Sequence, residues 1–316
     1  MGEAVTVRSP GPDPQTLAAI AGRYGFAPDA VRPLPQGEAN HVYLLGESLV
    51  LRIPRDQPER IAGLRKESGV IPAVRAAGMR TPALVDVDDG ARFGVPFLVL
   101  ERCAGVDLER QGDAAVGVAA VYRAVGRQLA LLHQVRPGDA PALSELPVDR
   151  GDRDDPGALL GPLVDAARLD RATAAWLDGW FHRLAQHRPI DPPRVLIHGD
   201  VAPRNLLAGG PVSGLTGIVD WGDAAWADPA MDFAKLPLHH VTDVLTGYLP
   251  DGEDAVEFRI WQARALHYHL HWAVAAIGRP APGPGRPPQP GAGLARLLVV
   301  LRFLIDTPDQ RWRSFA

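Results

Sequence analysis

The segment HGDVAPRN, residues 198–205, and the segment IVDW, residues 218–221, carry the most informative side chains of this chain. Asp200 and Asn205 are five residues apart around Gly and Pro, so one tight loop can aim both side chains at the same point. Asp220 follows at the end of the next apolar segment. Carboxylate and carboxamide oxygens are hard ligands that suit Mg²⁺ beside phosphate groups. Taken singly, each residue fits an ordinary turn, but as a set they predict a metal site.

The chain before residue 105 has the pattern of a small mixed unit. Two apolar runs flank a turn at Gly46, and two more strand-like runs follow a helical stretch in which Pro72 could break or kink the helix. The order strand, strand, helix, strand, strand predicts a small sheet with one main helix. The predicted elements are a short helix at 14–24, strands at 42–46 and 49–53, a helix at 57–77, and strands at 83–88 and 95–101.

The chain after residue 105 has mainly helical periodicity, so we expect an α+β fold with units at 1–104 and 105–316. Two stretches rich in Pro and Gly, 137–162 and 278–293, are predicted to be a long loop and an irregular segment, serving as lids or lacking order. The predicted helices are 114–135, 165–187, 254–277 and 294–305, with short apolar segments at 195–198 and 217–221.

Composition narrows the classes of partner. The chain has 33 basic and 37 acidic residues and a net charge of -4, which gives no reason to expect nucleic acid as a partner, because phosphate binding relies on a basic surface. Cys103 is the single cysteine, which excludes an internal disulfide and fits a reducing compartment. The first ten residues lack the apolar core of a secretory signal, and Arg296 and Arg302 interrupt the late apolar stretch. We therefore expect a cytoplasmic protein without a membrane partner.

The pattern HGD-x-x-x-x-N followed by IVDW resembles the catalytic and metal-binding segment of aminoglycoside phosphotransferases. These enzymes are similar in plan to protein kinases. The continuation GIVDWGDAAWADPAMDFAKL, residues 217–236, is especially similar to macrolide phosphotransferases. The resemblance implies a two-lobed protein-kinase-like fold, with an antiparallel sheet in the small lobe and a larger helical lobe. It also implies transfer of phosphate from ATP or GTP, with Mg²⁺, to a hydroxyl of a small molecule such as an antibiotic.

The resemblance also implies roles for individual residues. Asp200 matches the catalytic Asp that orients and deprotonates the acceptor hydroxyl. Asn205 and Asp220 match the residues that hold Mg²⁺. His198 and Asp232 match structural supports, and a buried, hydrogen-bonded imidazole is the expected state of His198.

The nucleotide would then lie in the small lobe. Gly37 and Asn40 belong to the segment 36–43, which is placed to cover phosphates but has a single glycine, and an ordinary hairpin explains it as well.

The phosphate-binding cation of the following strand is Arg52, because Lys66 and Lys235, the two lysines of the chain, lie outside the strands. Arginine binds phosphate bidentately, although it is not equivalent to lysine. The alternative for Arg52 is a strand arginine that faces solvent.

Three further positions follow from the resemblance. Glu67 matches the helix carboxylate that holds the cation, although an exposed helix charge is a common alternative. The strand 95–102 resembles the hinge, whose backbone around Glu101 and Cys103 would hydrogen-bond the purine. Arg204 stands where relatives carry a small residue, and contact with phosphate and restriction of the acceptor both stay open.

The acceptor is less well specified. Five acids follow Asp232 and fit either a rim for a polycationic antibiotic or the start of a helix. The aromatic residues of 261–272 fit core packing plus a pocket wall. Alternative functions are a metabolic kinase for a sugar, choline-like or amino-alcohol substrate, a nucleotide-binding pseudokinase, and a metal-dependent hydrolase. The five acids are Asp243, Asp251, Glu253, Asp254 and Glu257.

Overall fold

The fold has two lobes, a small one built on an antiparallel sheet and a larger one that is mainly helical. This confirms the predicted α+β, kinase-like architecture. The computed structural model describes residues 11–34, 39–55, 57–112, 117–149, 155–187, 189, 192–209, 214–249, 254–278, 292–307 and 309–315.

The small lobe contains a five-stranded sheet in the order β1-β2-β3-β5-β4, with antiparallel neighbours throughout. Helix α1 packs its apolar side on one face of this sheet, where Ile20, Leu45, Leu51 and Phe97 are buried together. The elements are α1 (Pro14–Arg23), β1 (Val31–Pro33), β2 (Asn40–Leu45), β3 (Leu49–Pro54), α2 (Pro58–Ala76), β4 (Leu84–Asp89) and β5 (Pro96–Glu101).

Strand β3 separates its side chains between the two faces of the sheet. Leu51 and Ile53 point into the cluster under α1, so Arg52 between them points to the opposite face. Helix α2 presents Glu67 on that side, because Glu67 shares a helical face with the buried residues Leu64 and Ile71. The alternation of the strand and the period of the helix thus bring the cation and the carboxylate together.

The helix predicted at 57–77 is confirmed, and Pro72 does not break it. Helix α2 is continuous from Pro58 to Ala76, with Pro72 inside it. A proline removes one hydrogen bond to the preceding turn, but Val70, Ile71 and Val74 around it are fully buried. We attribute the continuity to this burial.

The large lobe surrounds helix α9, whose middle is buried in the core. Its elements are β6 (Val106–Asp107), α3 (Leu108–Gln111), α4 (Val118–Leu132), α5 (Pro141–Ser144), α6 (Pro156–Asp165), α7 (Arg171–Ala185), β7 (Val195–Ile197), β8 (Leu206–Ala208), β9 (Leu215–Ile218), β10 (Ala225–Ala227), α8 (Leu238–Tyr248), α9 (Ala255–Gly278), α10 (Ala292–Asp306) and α11 (Gln310–Arg313). None of the described helices has the length and hydropathy needed to cross a bilayer.

The prediction of one long loop over 137–162 is wrong. This stretch contains α5 and the start of α6, and each of these helices begins with a proline. Proline is favoured at the first helical position, where its missing N–H is not needed. Asp155 caps α6 by accepting a hydrogen bond from Gly157 N at 3.1 Å. Residues 150–154, and most of the predicted irregular segment 278–293, lie outside the described residues.

The small strands of the large lobe form two separate sheets. The strands before and after the loop 198–205 belong to different sheets, because β7 pairs with β10 while β9 pairs with β8. Strand β6 joins the latter pair through β8. The predicted boundary at residue 104 lies between β5 and β6 and stays a prediction.

We predict that Gly126→Ala lowers the free energy of unfolding by about 1–3 kcal/mol, because overpacking forces the backbone to move. A Cβ on Gly126 of α4 would lie 1.9 Å from the carbonyl oxygen of Val244 in α8. The control is Gly22→Ala in α1, where a Cβ meets nothing within 4 Å. Urea denaturation measures both, and equal stability of the two variants would show that α4 and α8 lie further apart.

Candidate active site

The imidazole of His198 connects the two loops that carry the predicted site residues. It is fully buried, and its Nδ1 accepts a hydrogen bond from the backbone N–H of Asp200 at 3.2 Å. Because a backbone N–H only donates, we place the ring proton on Nε2, which lies 3.1 Å from the carbonyl oxygen of Val219. The prediction of a buried, hydrogen-bonded imidazole is confirmed.

Asp232 holds the start of the loop 198–205 through hydrogen bonds to its backbone. Its carboxylate accepts hydrogen bonds from the backbone N–H groups of His198 at 3.0 Å and Gly199 at 2.8 Å, and Nε2 of His133 lies 3.1 Å away. Gly199 has φ +78, and a Cβ there would lie 2.5 Å from the carbonyl oxygen of Asp223. The loop therefore needs glycine at this position and a buried acceptor beneath it.

Asp200 is nearly buried and surrounded by donors. The side-chain amide of Asn205 donates to the carbonyl oxygen and to Oδ2 of Asp200, both at 2.8 Å. Arg204 Nη2 lies 2.6 Å from Oδ2, and Lys235 Nζ lies 2.5 Å from Oδ1. Burial raises the pKa of the Asp200 carboxyl, but contacts with Lys235 and Arg204 outweigh burial and hold the pKa below its ordinary value. Asp200 is therefore ionised at neutral pH.

Arg52 joins the predicted helix carboxylate to the predicted metal-binding Asp. Its Nη1 lies 2.8 Å from Glu67 Oε2, and its Nη2 lies 3.0 Å from Asp220 Oδ1. Burial would lower the pKa of Arg52, but the charges of Glu67 and Asp220 raise it above its ordinary value. The structure thus excludes the alternative of an arginine facing solvent.

The side-chain oxygens of Asn205 and Asp220 are of the type that Mg²⁺ prefers as ligands. Asp220 is 45% exposed, and no described residue donates a hydrogen bond to its second carboxylate oxygen. Asn205 uses its NH₂ group for Asp200, which leaves its carbonyl oxygen as a possible ligand. The backbone N–H of Val219 donates to the backbone carbonyl oxygen of Asn205 at 3.0 Å, a different atom from the side-chain oxygen. This hydrogen bond keeps the two loops adjacent. The Asp220 carboxylate contacts Arg52 rather than Asp200 or the Asn205 side chain. The described residues contain no cluster of three His, Cys, Asp or Glu side chains able to hold a metal alone.

The remaining predicted nucleotide residues are less completely placed. Gly37 lies outside the described residues, and Asn40 begins β2 in a half-buried position. The backbone N–H of Glu101 donates to the carbonyl oxygen of Ala83 at 2.9 Å, so it is not available for a purine. Cys103 makes no backbone hydrogen bond to another described residue, so its backbone is the better hinge candidate.

A cleft of about 340 Å³ opens beside the catalytic loop and is lined by Gly199, Asp223 and Trp272, among other residues. The ammonium of Lys235 lies 4.2 Å from the centre of the Trp272 ring. A larger groove of about 590 Å³ lies on the large lobe around α7 and the start of α9, and no predicted site residue lines it. The aromatic residues of α9 are mostly buried, with Trp272 as the wall of the smaller cleft.

Sequence reasoning missed Lys235 and left Arg204 undecided. A usable signal existed for Lys235, because it is the single lysine after residue 66 in an arginine-rich chain and follows Asp232 by three residues. Among the five acids, Asp254 accepts a hydrogen bond from Val256 N at 2.8 Å, which fits the start of a helix. Asp251 and Glu253 lie outside the described residues.

Comparison with known families shows to which family of enzymes the chain belongs. The model of the phosphotransferase enzyme family (APH) matches residues 30–267. The chain belongs to this family. It is a kinase-type enzyme, as predicted from the catalytic loop and the IVDW segment.

Two curated relatives resemble this phosphotransferase. Viomycin phosphotransferase of Streptomyces vinaceus is 28% identical over 231 residues, covering 66% of this chain and 74% of the relative. Acyl-CoA dehydrogenase family member 10 of Mus musculus is 26% identical over 233 residues, covering 69% of this chain. That match spans 21% of the length of the mouse protein.

Solved structures of similar fold support the two-lobed architecture. The GDP complex of aminoglycoside 2'-phosphotransferase-IIIa has a TM-score of 0.64 and 21% identity, covering 90% of this chain and 92% of the other. A macrolide 2'-phosphotransferase from Brachybacterium faecium has a TM-score of 0.59 and 19% identity, covering 85% and 99%. An ethanolamine kinase from Plasmodium vivax has a TM-score of 0.55 and 12% identity, covering 92% and 85%.

We predict that Arg52→Met lowers the free energy of unfolding by about 3–5 kcal/mol, because it leaves the buried carboxylate of Glu67 without its cation. The control is Arg32→Met in β1, which removes an exposed pair with Glu47 and changes stability by less than about 1 kcal/mol. Chemical denaturation at neutral pH compares the two. A loss for Arg52→Met no larger than for the control would contradict the buried pair.

Proposed function

We propose that this phosphotransferase transfers the terminal phosphoryl group of ATP or GTP, with Mg²⁺, to a hydroxyl of a small molecule. The observation that carries the proposal is the environment of Asp200. The side chain of Asn205 holds the ionised carboxylate of Asp200 in the loop 198–205. The pair of Arg52 and Asp220 lies at the neighbouring loop, which follows β9. Chemistry of this kind needs a proton acceptor beside a metal and a phosphate-binding cation.

The mechanism follows from positioning and charge. Asn205 and Asp220 would hold Mg²⁺, which neutralises charge on the phosphates when it is bound. Arg52 lies beside Asp220 and would contact the same phosphates through its guanidinium. Asp200 would orient the acceptor hydroxyl and receive its proton. Because the transition state for phosphoryl transfer is loose, orientation and charge neutralisation account for most of the acceleration.

We propose an antibiotic as the acceptor. The supporting observations are the relative named viomycin phosphotransferase and the structural similarity to an aminoglycoside and a macrolide phosphotransferase. The ethanolamine kinase of similar fold supports the alternative of a metabolic kinase for an amino alcohol. We place the enzyme in the cytoplasm, where nucleoside triphosphates are abundant.

A screen of acceptors tests the proposed function. The protein is incubated with Mg-ATP or Mg-GTP and with viomycin, kanamycin, a macrolide or ethanolamine, and products are read by mass spectrometry. We expect an antibiotic to gain one phosphoryl group. Phosphorylation of ethanolamine alone would favour the metabolic alternative, and loss of a group from an acceptor would indicate a hydrolase.

We predict that Asp200→Asn lowers turnover by at least about 100-fold, because an amide cannot receive the hydroxyl proton. Nucleotide affinity, measured by calorimetry, should stay close to wild type. The control is Asp178→Asn in α7, which removes an exposed carboxylate that pairs with His182 and lines neither cleft. Near-normal transfer by Asp200→Asn would show that another group is the base.

We predict that Asp220→Asn weakens binding of Mg-nucleotide rather than the chemical step alone. Removing this charge takes away a metal ligand and one partner of Arg52. Titration with Mg-ATP should show a lower affinity, while binding of ATP without Mg²⁺ should change much less. An unchanged affinity for Mg-ATP would contradict the proposed role of Asp220.

A further inference from the structure

The two carboxylate oxygens of Asp200 have different surroundings. Oδ2 accepts hydrogen bonds from Arg204 Nη2 at 2.6 Å and from Asn205 Nδ2 at 2.8 Å. An ionised carboxylate has about four lone-pair sites on its two oxygens, so these two donors occupy Oδ2. Oδ1 is shielded from solvent and accepts no hydrogen bond of good geometry from any described residue. Its close contact is the ion pair with Lys235 Nζ at 2.5 Å.

This asymmetry identifies the oxygen that is able to receive a proton. A base needs a lone pair that is not already committed to a donor. Oδ1 has two lone pairs and one close cation, Lys235, so one lone pair is left for the acceptor proton. Oδ1 also lies on the side of Lys235, whose ammonium contacts Trp272 and approaches Asp223 of the small cleft. Because Oδ1 is covered in this structure, the acceptor hydroxyl would reach it from this cleft as the side chains over it move, and would then lie next to the Lys235 ammonium.

Lys235 is held in place by groups on three sides. Its Nζ lies 2.5 Å from Asp200 Oδ1, 3.8 Å from Asp223 Oδ2 and 4.2 Å from the centre of the Trp272 ring. Its side chain is 14% exposed. A cation over an aromatic face is attracted by the ring, and the surrounding groups restrict a side chain that is otherwise flexible. Lys235 also follows closely after Asp232, which anchors the catalytic loop.

We propose that Lys235 is a positioning residue, whose ammonium fixes Oδ1 of Asp200 as the atom that receives the acceptor proton. In the step, the acceptor O–H bond breaks and its proton moves to Oδ1. The acceptor oxygen bonds to the terminal phosphorus, and the bond from that phosphorus to the bridging oxygen breaks with its electrons leaving on the nucleoside diphosphate. Lys235 keeps its own protons throughout. The proposal rests on the proposed function, since it requires Asp200 to be the base.

The test compares Lys235→Met with Lys235→Arg and Lys235→Ala in the full chain. Turnover is measured with the acceptor that gains phosphate in the screen, and slow hydrolysis of ATP, where water replaces the acceptor, is measured in the same samples. We expect Lys235→Met to lower kcat by about 10- to 100-fold, the size of effect that misplacement of a reacting group produces. The KM for nucleotide should stay within about twofold, because Lys235 acts through Asp200 rather than on the phosphates.

Two rescue measurements separate a positioning charge from a structural role. Lys235→Arg keeps a cation and should retain more turnover than Lys235→Met. Added propylammonium should raise the turnover of Lys235→Ala and leave wild type unchanged. Equal loss in the Met and Arg variants, with no rescue by propylammonium and intact nucleotide binding, would overturn the proposal. The control variant is Arg311→Met, which removes an exposed pair with Asp309 near the end of the chain.

Failure of this inference is distinguishable from failure of the proposed function. If wild type neither transfers phosphate nor hydrolyses ATP, the proposed function fails and takes this inference with it. If wild type transfers phosphate and Lys235→Met keeps kcat within twofold, the inference alone is wrong. If Lys235→Met does not fold, Trp272→Leu and Trp272→Phe replace it, because phenylalanine keeps a ring for the ammonium. Turnover should fall further in the Leu variant, and equal values would overturn the proposal.

Discussion

One guanidinium connects the two lobes of this phosphotransferase. Arg52 extends from the small sheet and contacts Glu67 of helix α2 and Asp220 from the loop after β9. Its planar fork allows two parallel partners at fixed angles, which a lysine ammonium does not provide. Because Glu67 is nearly buried, separating the pair would leave a charge without compensation, so sheet, helix and loop are held in one arrangement. The part of the proposed phosphate site that the small lobe contributes depends on this arrangement.

The catalytic loop is built on a second buried charge. Asp232 holds the backbone of His198 and Gly199, and the His198 ring then connects Asp200 to Val219. Each step in this chain joins a buried side chain to backbone, so the loop conformation relies on side chains that are held in the core. Asp200 is left nearly buried yet ionised, because cations surround it. A carboxylate prepared in this way matches the base that phosphoryl transfer to a hydroxyl requires.

Much of this organisation could be predicted from the sequence, and the failures have physical causes. The pairing of Arg52 with Glu67 follows from the alternation of β3 and the period of α2, which are local properties. The stretch 137–162 was misjudged because Pro141 and Pro156 indicate helix starts as well as loops. Lys235 was missed because its contact with Asp200 joins positions 35 residues apart, and only the tertiary fold brings them together.

Asn205 and Asp220 would hold the metal that accompanies the nucleotide, between Arg52 and Asp200. Anomalous diffraction from crystals grown with Mn²⁺ and a non-hydrolysable ATP analogue tests it directly. We expect a metal peak at about 2.1 Å from oxygens of Asn205 and Asp220, near the distance typical of Mg²⁺, with the terminal phosphate facing Asp200. A nucleotide and metal bound away from these residues, or a nucleotide bound here with Asn205 and Asp220 turned away from the metal, would contradict it.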